Sequence, residues 1–489
     1  MAENRSLPQD GTLQESYDNA LEESKQSFQN TPDVGLSEQP GSEQVNKVDN
    51  LPDGGYGWVC VVCVALVNAH TWGINSSYGV FLAHYLANNT YPGASYLEYA
   101  FVGGLSISMA LLVSPVATYT TRTFGTRTTL LIGVVFETLA LVGASFSKQI
   151  WQLFLSQGLC FGWGMGFLFV GTVGVVPQWF TKRRSLANGI GTAGSGIGGL
   201  TYSLATGAMI QSLGLGWAFR ILGIVAGSVN FVCALLIKDR NKAIGATQLS
   251  FDYRLFKRVE FLFLLGWGFF SMLGYIVLLF SLPAYAQSVG LTAKQGSIIG
   301  ALLNLGQGLG RPVVGMFSDQ AGRINTAGFL TFLCGILCLV VWIFAKSFGV
   351  LIFFSIIVGT VAGTFWTTIA PVGAEVVGLK ELASGLSITW IVLVLPTTFA
   401  EAIALELRQS TGDIYLHAQV FAGFMYIVAA ICTWFLRSWK IRDLEKAEQD
   451  EKEKALFSAN RPEDTITRTD APSPVVSNHP KAMFKLKRV

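Results

Sequence analysis

Apolar residues gather into twelve long runs separated by short polar stretches, at 57–86, 97–121, 128–147, 150–177, 186–208, 216–237, 259–283, 295–317, 325–345, 349–373, 384–406 and 418–438. A helix needs about 20 such residues to cross the hydrocarbon core of a bilayer. The pattern therefore predicts an all-α membrane protein of twelve transmembrane helices. Between the sixth and seventh runs, residues 238–258 carry six basic side chains and little apolar character. This connector divides the chain into a first bundle over 51–237 and a second over 259–440. Gly57-Trp58, opening the first half, is echoed weakly by Gly266-Trp267 near the start of the second, as a duplicated unit would leave it.

The polar stretches suggest an orientation. Thirteen basic residues fall in loops on one side: Arg122, Arg127, Lys182, Arg183, Arg184, the six of the connector, Arg323 and Lys380. Five fall on the other: Lys148, Arg220, Lys294, Lys346 and Arg408. The positive-inside rule assigns the richer side, and with it both termini, to the cytoplasm. Residues 1–50, acidic and rich in Ser, Gln and Asn, and 462–480, rich in Pro, Ser and Thr, read as solvated tails. Within the charged tail 441–489, residues 441–457 place Glu and Lys at helical spacing and read as an extension of the last span. Residues 1–50 lack the apolar core of a cleavable signal peptide. The expectation is an integral protein of the plasma membrane, with a glycosylation sequon, Asn88-Asn89-Thr90, on the outer side.

Composition narrows the function. With 51% hydrophobic and only 13% charged residues, against about 25% charged in soluble chains, a soluble enzyme is excluded. A net charge of +3 is too small to suggest nucleic acid. The glycines from Gly194 to Gly199 lack the Lys-Ser/Thr of a phosphate-binding loop, so neither a nucleotide-driven pump nor a cofactor is expected. Cys60-x-x-Cys63 sits inside a predicted span without a histidine or a second pair nearby. It and the other cysteines read as packing residues, and no metal site is predicted.

Four motifs add identity to this plan. Asp53-Gly54-Gly55-Tyr56-Gly57-Trp58 stands at the entry to the first span, and Trp179-Phe180-Thr181-Lys182-Arg183-Arg184-Ser185-Leu186-Ala187-Asn188-Gly189 between the fourth and fifth. Gly315-Met316-Phe317-Ser318-Asp319-Gln320-Ala321-Gly322-Arg323 follows the eighth, with a weaker counterpart, Arg122-Thr123-Phe124-Gly125-Thr126-Arg127, after the second. Gly194 and Gly198 make a GxxxG pair that lets another helix approach closely. Over residues 53–440 the chain resembles the monocarboxylate transporter family of the major facilitator superfamily. That resemblance implies two pseudo-symmetric six-helix bundles holding a small organic solute near the bilayer midplane and exposing it to each side in turn. It also implies gating latches at Asp319 and Arg323 and at Arg122 and Arg127, although the first-half loop lacks the family's Asp.

Charged residues inside a span are costly and therefore functional candidates; here they are Glu137, Arg311 and Glu401. Arg311 matches the family's substrate-anchoring arginine, and its planar fork suits a carboxylate; an ion-pairing arginine is the alternative. Asn304, Gln307, Asn75 and Trp366 are the further candidates for contact with the solute, and Trp163 and Trp390 could stack on a flat one. Two positions depart from the proton-coupled members. Gln307 stands where they have an acid, and Asn75, Ser76 and Ser77 where they have a lysine. Glu401 is then the candidate proton carrier, or else a carboxyl paired structurally with Arg311. The pattern resembles the fungal branch, whose attributed cargo ranges from organic acids to riboflavin and secondary metabolites. A secondary carrier, with protons as a possible coupling partner, is the reading; a non-transporting sensor that uses its tails is the alternative from another class.

Overall fold

A computed structural model describes residues 53–246, 251–409 and 413–459. The tails read at 1–50 and 462–480 lie outside the described residues. The first span is broken into α1 (Gly57–His70), α2 (Trp72–Ser76) and α3 (Tyr78–Asn88). Helices α4 (Tyr96–Leu112) and α5 (Ser114–Phe124) form the second, and α6 (Thr126–Ala144) the third. The fourth runs from α7 (Ile150–Leu153) through a π-helical stretch, Phe154–Cys160, into α8 (Phe161–Val173); α9 (Arg184–Leu213) and α10 (Leu215–Leu236) complete the first half. The second half comprises α11 (Val259–Ser288), α12 (Ala293–Ala321), α13 (Arg323–Leu337) with a π-helical continuation, α14 (Phe348–Ala362) and α15 (Thr364–Val376) as one span, α16 (Leu382–Glu406) and α17 (Leu416–Ala459). Helix α17 passes through residues 441–457 without interruption, as the Glu and Lys spacing predicted.

Among the described residues nine helices are long and apolar enough to cross a membrane, and a tenth span is the α4–α5 pair, bent by 41°. Two further helices reach membrane length, α9 with 30 residues and α12 with 29. Glycine and small polar residues dilute their apolar character. The reason is packing, because these two helices meet each other across the halves. A Cβ on Gly196 would lie 2.5 Å from the Gly308 nitrogen, and one on Gly315 would collide with the Ser185 backbone. The opposite face of α9 receives the first span, with Gly194 against Ala65 and Gly198 against Ala69. Without side chains in the way, dispersion contacts form between backbones, which is how helices associate when lipid offers no hydrophobic gain.

The side bearing Asp53, Arg183 and Arg323 is called the basic face below. Hydrogen bonds tie the halves together from that face to mid-span: Asn188 Nδ2 to the Thr367 carbonyl at 2.5 Å, Ser114 Oγ to the Ser387 carbonyl at 3.2 Å, and the Ser108 and Thr398 hydroxyls at 2.6 Å. The large apolar cluster of the second half likewise takes in Ile107, Leu111, Phe169 and Val173 of the first. The halves are therefore closed against each other at the basic face. Gly198→Leu should lower the melting temperature of the detergent-solubilised protein by the equivalent of about 3 kcal/mol, the upper range for overpacking. Gly207→Leu should not, since a Cβ there meets only a Val80 methyl at 3.8 Å; equal melting of the two variants would deny the close approach its importance.

Candidate functional site

Arg311 stands ten residues from the Ala321 end of α12, about 15 Å at the helical rise, which is deep in the membrane. Only 5% of it is exposed. Its Nη1 donates to the Thr192 carbonyl at 2.6 Å and to Ser195 Oγ, both on α9, and its Nη2 donates to Gln307 Oε1 at 2.7 Å. The same Gln307 oxygen accepts from the Tyr275 hydroxyl of α11 at 2.9 Å. Among the described residues no carboxylate lies within ion-pair distance of this guanidinium. Moreover, Arg311 Nε and Gln307 Nε2 are buried donors without a partner. The site thus holds one positive charge, two spare N–H donors and no base. Asn304, one turn further along α12, is buried beside Gly199 of α9.

An aromatic cluster draws on both halves. Trp366 stacks on Trp390 with centroids 5.8 Å apart and planes at 15°, while Trp72 of the first span approaches Trp366 at 5.4 Å. Phe169 touches Trp72 at 5.4 Å and Trp390 at 5.0 Å. The indole N–H groups of Trp72 and Trp390 are buried and unpartnered. Asn75, in the broken part of the first span, accepts from Ser106 Oγ at 2.7 Å. Glu401 belongs to a different level: it lies five residues from the Glu406 end of α16, and the Ser281 hydroxyl sits 3.2 Å from both of its oxygens. The alternative of a Glu401–Arg311 pair is not realised, since Arg311 is bonded to α9 and Glu401 to α11.

At the basic face, Asp319 accepts from the backbone N–H groups of Ser185 at 3.0 Å and Leu186 at 2.9 Å. These are first-turn donors of α9, left free by the helix itself, so a carboxylate of one half caps a helix of the other and meets its positive dipole end. Arg323 bonds Glu375 at 2.7 Å, the Thr181 carbonyl at 2.8 Å and Asp319 at 3.2 Å. From the other side Asp53 Oδ1 accepts from the N–H groups of Thr181, Lys182 and Arg183 at 3.0, 3.1 and 3.3 Å. Among the described residues the first-half loop makes no such bridge: Arg127 donates to the Leu235 carbonyl within its own half, and Arg122 is exposed.

Comparison with known proteins identifies this architecture. The model of the Major Facilitator Superfamily matches residues 60–401 and, again, 264–477. The chain belongs to the major facilitator superfamily. It is similar to "Probable transporter MCH2" of Saccharomyces cerevisiae, 37% identical over 415 residues that cover 82% of this chain and 88% of that one. It also resembles "Uncharacterized transporter ESBP6" of the same yeast, 37% identical over 82% of this chain and 62% of that one. The "Fujikurins efflux protein" of Gibberella fujikuroi is 25% identical over 82% and 86%. This major facilitator protein is accordingly a membrane transporter and not an enzyme.

Within this facilitator, Arg311, Gln307 and Asn304 come together on the α12 face that meets α9, whereas Asn75 bonds Ser106, Trp366 belongs to the aromatic cluster and Glu401 stands apart. Trp163 is 36% exposed and pairs with Phe136, outside the aromatic cluster. Sequence reasoning missed Tyr275, Thr192 and Ser195, small or ordinary residues whose only signal is position, and it missed the cap made by Asp53. Asp319→Asn should weaken the cap on α9 by about 1 kcal/mol, because one of the two accepting oxygens becomes an amide nitrogen and the charge facing the helix N-terminus is lost, and shift the population away from the conformation closed at the basic face. Cysteine accessibility measured on both faces checks this; unchanged labelling would remove Asp319 from the gate.

Proposed function

We propose that this transporter moves an organic anion by alternating access, with Arg311 as the anchor for its carboxylate. The observation that carries the reading is the buried guanidinium without a counter-ion, flanked by two unused donors. An unpaired buried charge costs several kcal/mol, and a bidentate carboxylate is the natural group to offset it. Because Arg311 now bonds Thr192 and Ser195 of the opposite half, an arriving anion competes with a bond between the halves. Binding would thereby loosen the contact that must open for release. The Trp72, Trp366 and Trp390 cluster supplies an apolar floor with two spare indole N–H donors, suited to cargo with a flat or apolar body beside its charge.

In this reading the basic face is cytoplasmic, the protein resides in the plasma membrane within the monocarboxylate porter branch, and the conformation described is closed to the cell interior. Gln307 cannot titrate, so a coupled proton would travel on Glu401. The fujikurins efflux relative supports metabolite export as the direction.

In proteoliposomes, Arg311→Lys should lower uptake of radiolabelled lactate or succinate at least tenfold, since one planar fork is exchanged for a point charge. Uncharged riboflavin serves as the contrasting probe. Undiminished organic-acid transport in the variant, or transport of riboflavin alone, would refute the anion reading. For coupling, Glu401→Gln should abolish accumulation driven by a pH gradient while leaving cargo exchange measurable, because exchange moves no net proton. Persistent pH-driven accumulation would exclude Glu401 as the carrier, and loss of both activities would assign it a structural role.

A further inference from the structure

Where the third and sixth spans touch, Glu137 of α6 and Asn230 of α10 are both 0% exposed, and the buried Thr138 hydroxyl of α6 packs on Gly227 one turn away. Asn230 Nδ2 donates to Glu137 Oε2 at 2.7 Å. Two atoms of the joined side chains are left over, Glu137 Oε1 and Asn230 Oδ1, each buried and each without a partner. An amide oxygen and an ionised carboxylate only accept, so the orphans on this pair are two acceptors with no hydrogen to share. We infer that Glu137 carries a resident proton on Oε1 and donates it to Asn230 Oδ1, closing a ring of two hydrogen bonds between the third and sixth spans.

The surroundings favour the neutral acid. Gly164 of α8 packs directly on the Glu137 backbone, which closes the site to water from the fourth span. The titratable groups that the neighbouring elements bring are few. The fourth span offers Cys160, whose thiol donates to the Phe136 carbonyl at 3.4 Å. Helix α9 offers the Tyr202 phenol, whose ring stands edge-on to His70. On α10, Arg220 is held over the Phe146 and Trp217 rings near the end of the span, and on α5 Arg122 is exposed at the opposite end. No ion pair reaches Glu137 among the described residues. A carboxylate there would be a buried charge with one hydrogen bond, whereas the protonated acid satisfies itself and its partner together. Both bonds lie inside one half, so the ring survives the rocking of one half against the other. Glu137 is thus a neutral clamp and takes no part in moving protons, a conclusion independent of the cargo.

Infrared spectroscopy of the full-length protein in detergent tests this, in a Glu401→Gln background so that, among the described residues, Glu137 is the carboxyl left deep inside a span. The expected spectrum has a protonated-carboxyl C=O band that persists in alkaline buffer and disappears in Glu137→Gln. Asn230→Ala should move the band to higher frequency as the acid loses its amide partner, which keeps the test valid should the Glu137 variant fail to fold. Glu137→Gln can form the same ring as an amide pair and should melt with the parent, whereas Glu137→Leu should melt several degrees lower. Absence of the band, its loss on alkalinisation, or insensitivity to Asn230→Ala would overturn the proposal.

Discussion

Helices α9 and α12 touch backbone to backbone because glycine stands on both sides of the contact, at Gly189 and Gly196 on one and Gly308 and Gly315 on the other. The separation of their axes sets what polar side chains can reach. At this distance Arg311 extends from α12 to a main-chain carbonyl of α9, and Asp319 reaches the first-turn N–H groups of the same helix. Larger residues at these glycines would widen the gap and leave both charged groups short of their partners. One steric condition therefore supports the Arg311 contacts, the Asp319 cap and the closed basic face together.

Three acidic or basic residues within the spans meet the low dielectric in different ways. Arg311 divides its donors among a carbonyl, a hydroxyl and an amide oxygen, and keeps one N–H in reserve. Glu401 leans on the Ser281 hydroxyl near the far end of its span. Glu137 is matched with Asn230 inside one half. The first arrangement crosses between the halves and must break for them to separate; the third does not. Location relative to the moving boundary, more than burial, separates a group that can take part in transport from one that holds a bundle together.

The two motifs at residues 53–58 and 179–189 form one knot. Asp53 caps the loop between the fourth and fifth spans, Trp58 meets Phe180 edge-on at 5.0 Å, and Trp179 Nε1 bonds the Lys238 carbonyl at the root of the connector. A Cβ on Gly57 would lie 2.7 Å from the Trp179 Cβ, so glycine is required there by close approach. This knot holds the loop on one side while Asp319 and Arg323 hold it on the other. The loop is thus bonded from both halves at once.

Apolar length is a local property, so the chain alone determined the membrane class, the order of the spans and the helical run through 441–457. The motifs likewise marked Arg311, Asp319 and Arg323 without any coordinates. Partners were a different matter. That Gln307 is shared between Arg311 and Tyr275, that Arg127 turns back to its own half, and that Glu401 bonds Ser281 instead of Arg311 depend on distances between helices far apart in sequence. Those distances are set by where glycines permit contact and where larger residues forbid it, a sum over many pairs that no single stretch encodes. Asp53 is the sharpest case: in sequence it is an acid before two glycines, and only the fold brings three N–H groups from residues 181–183 to its side chain.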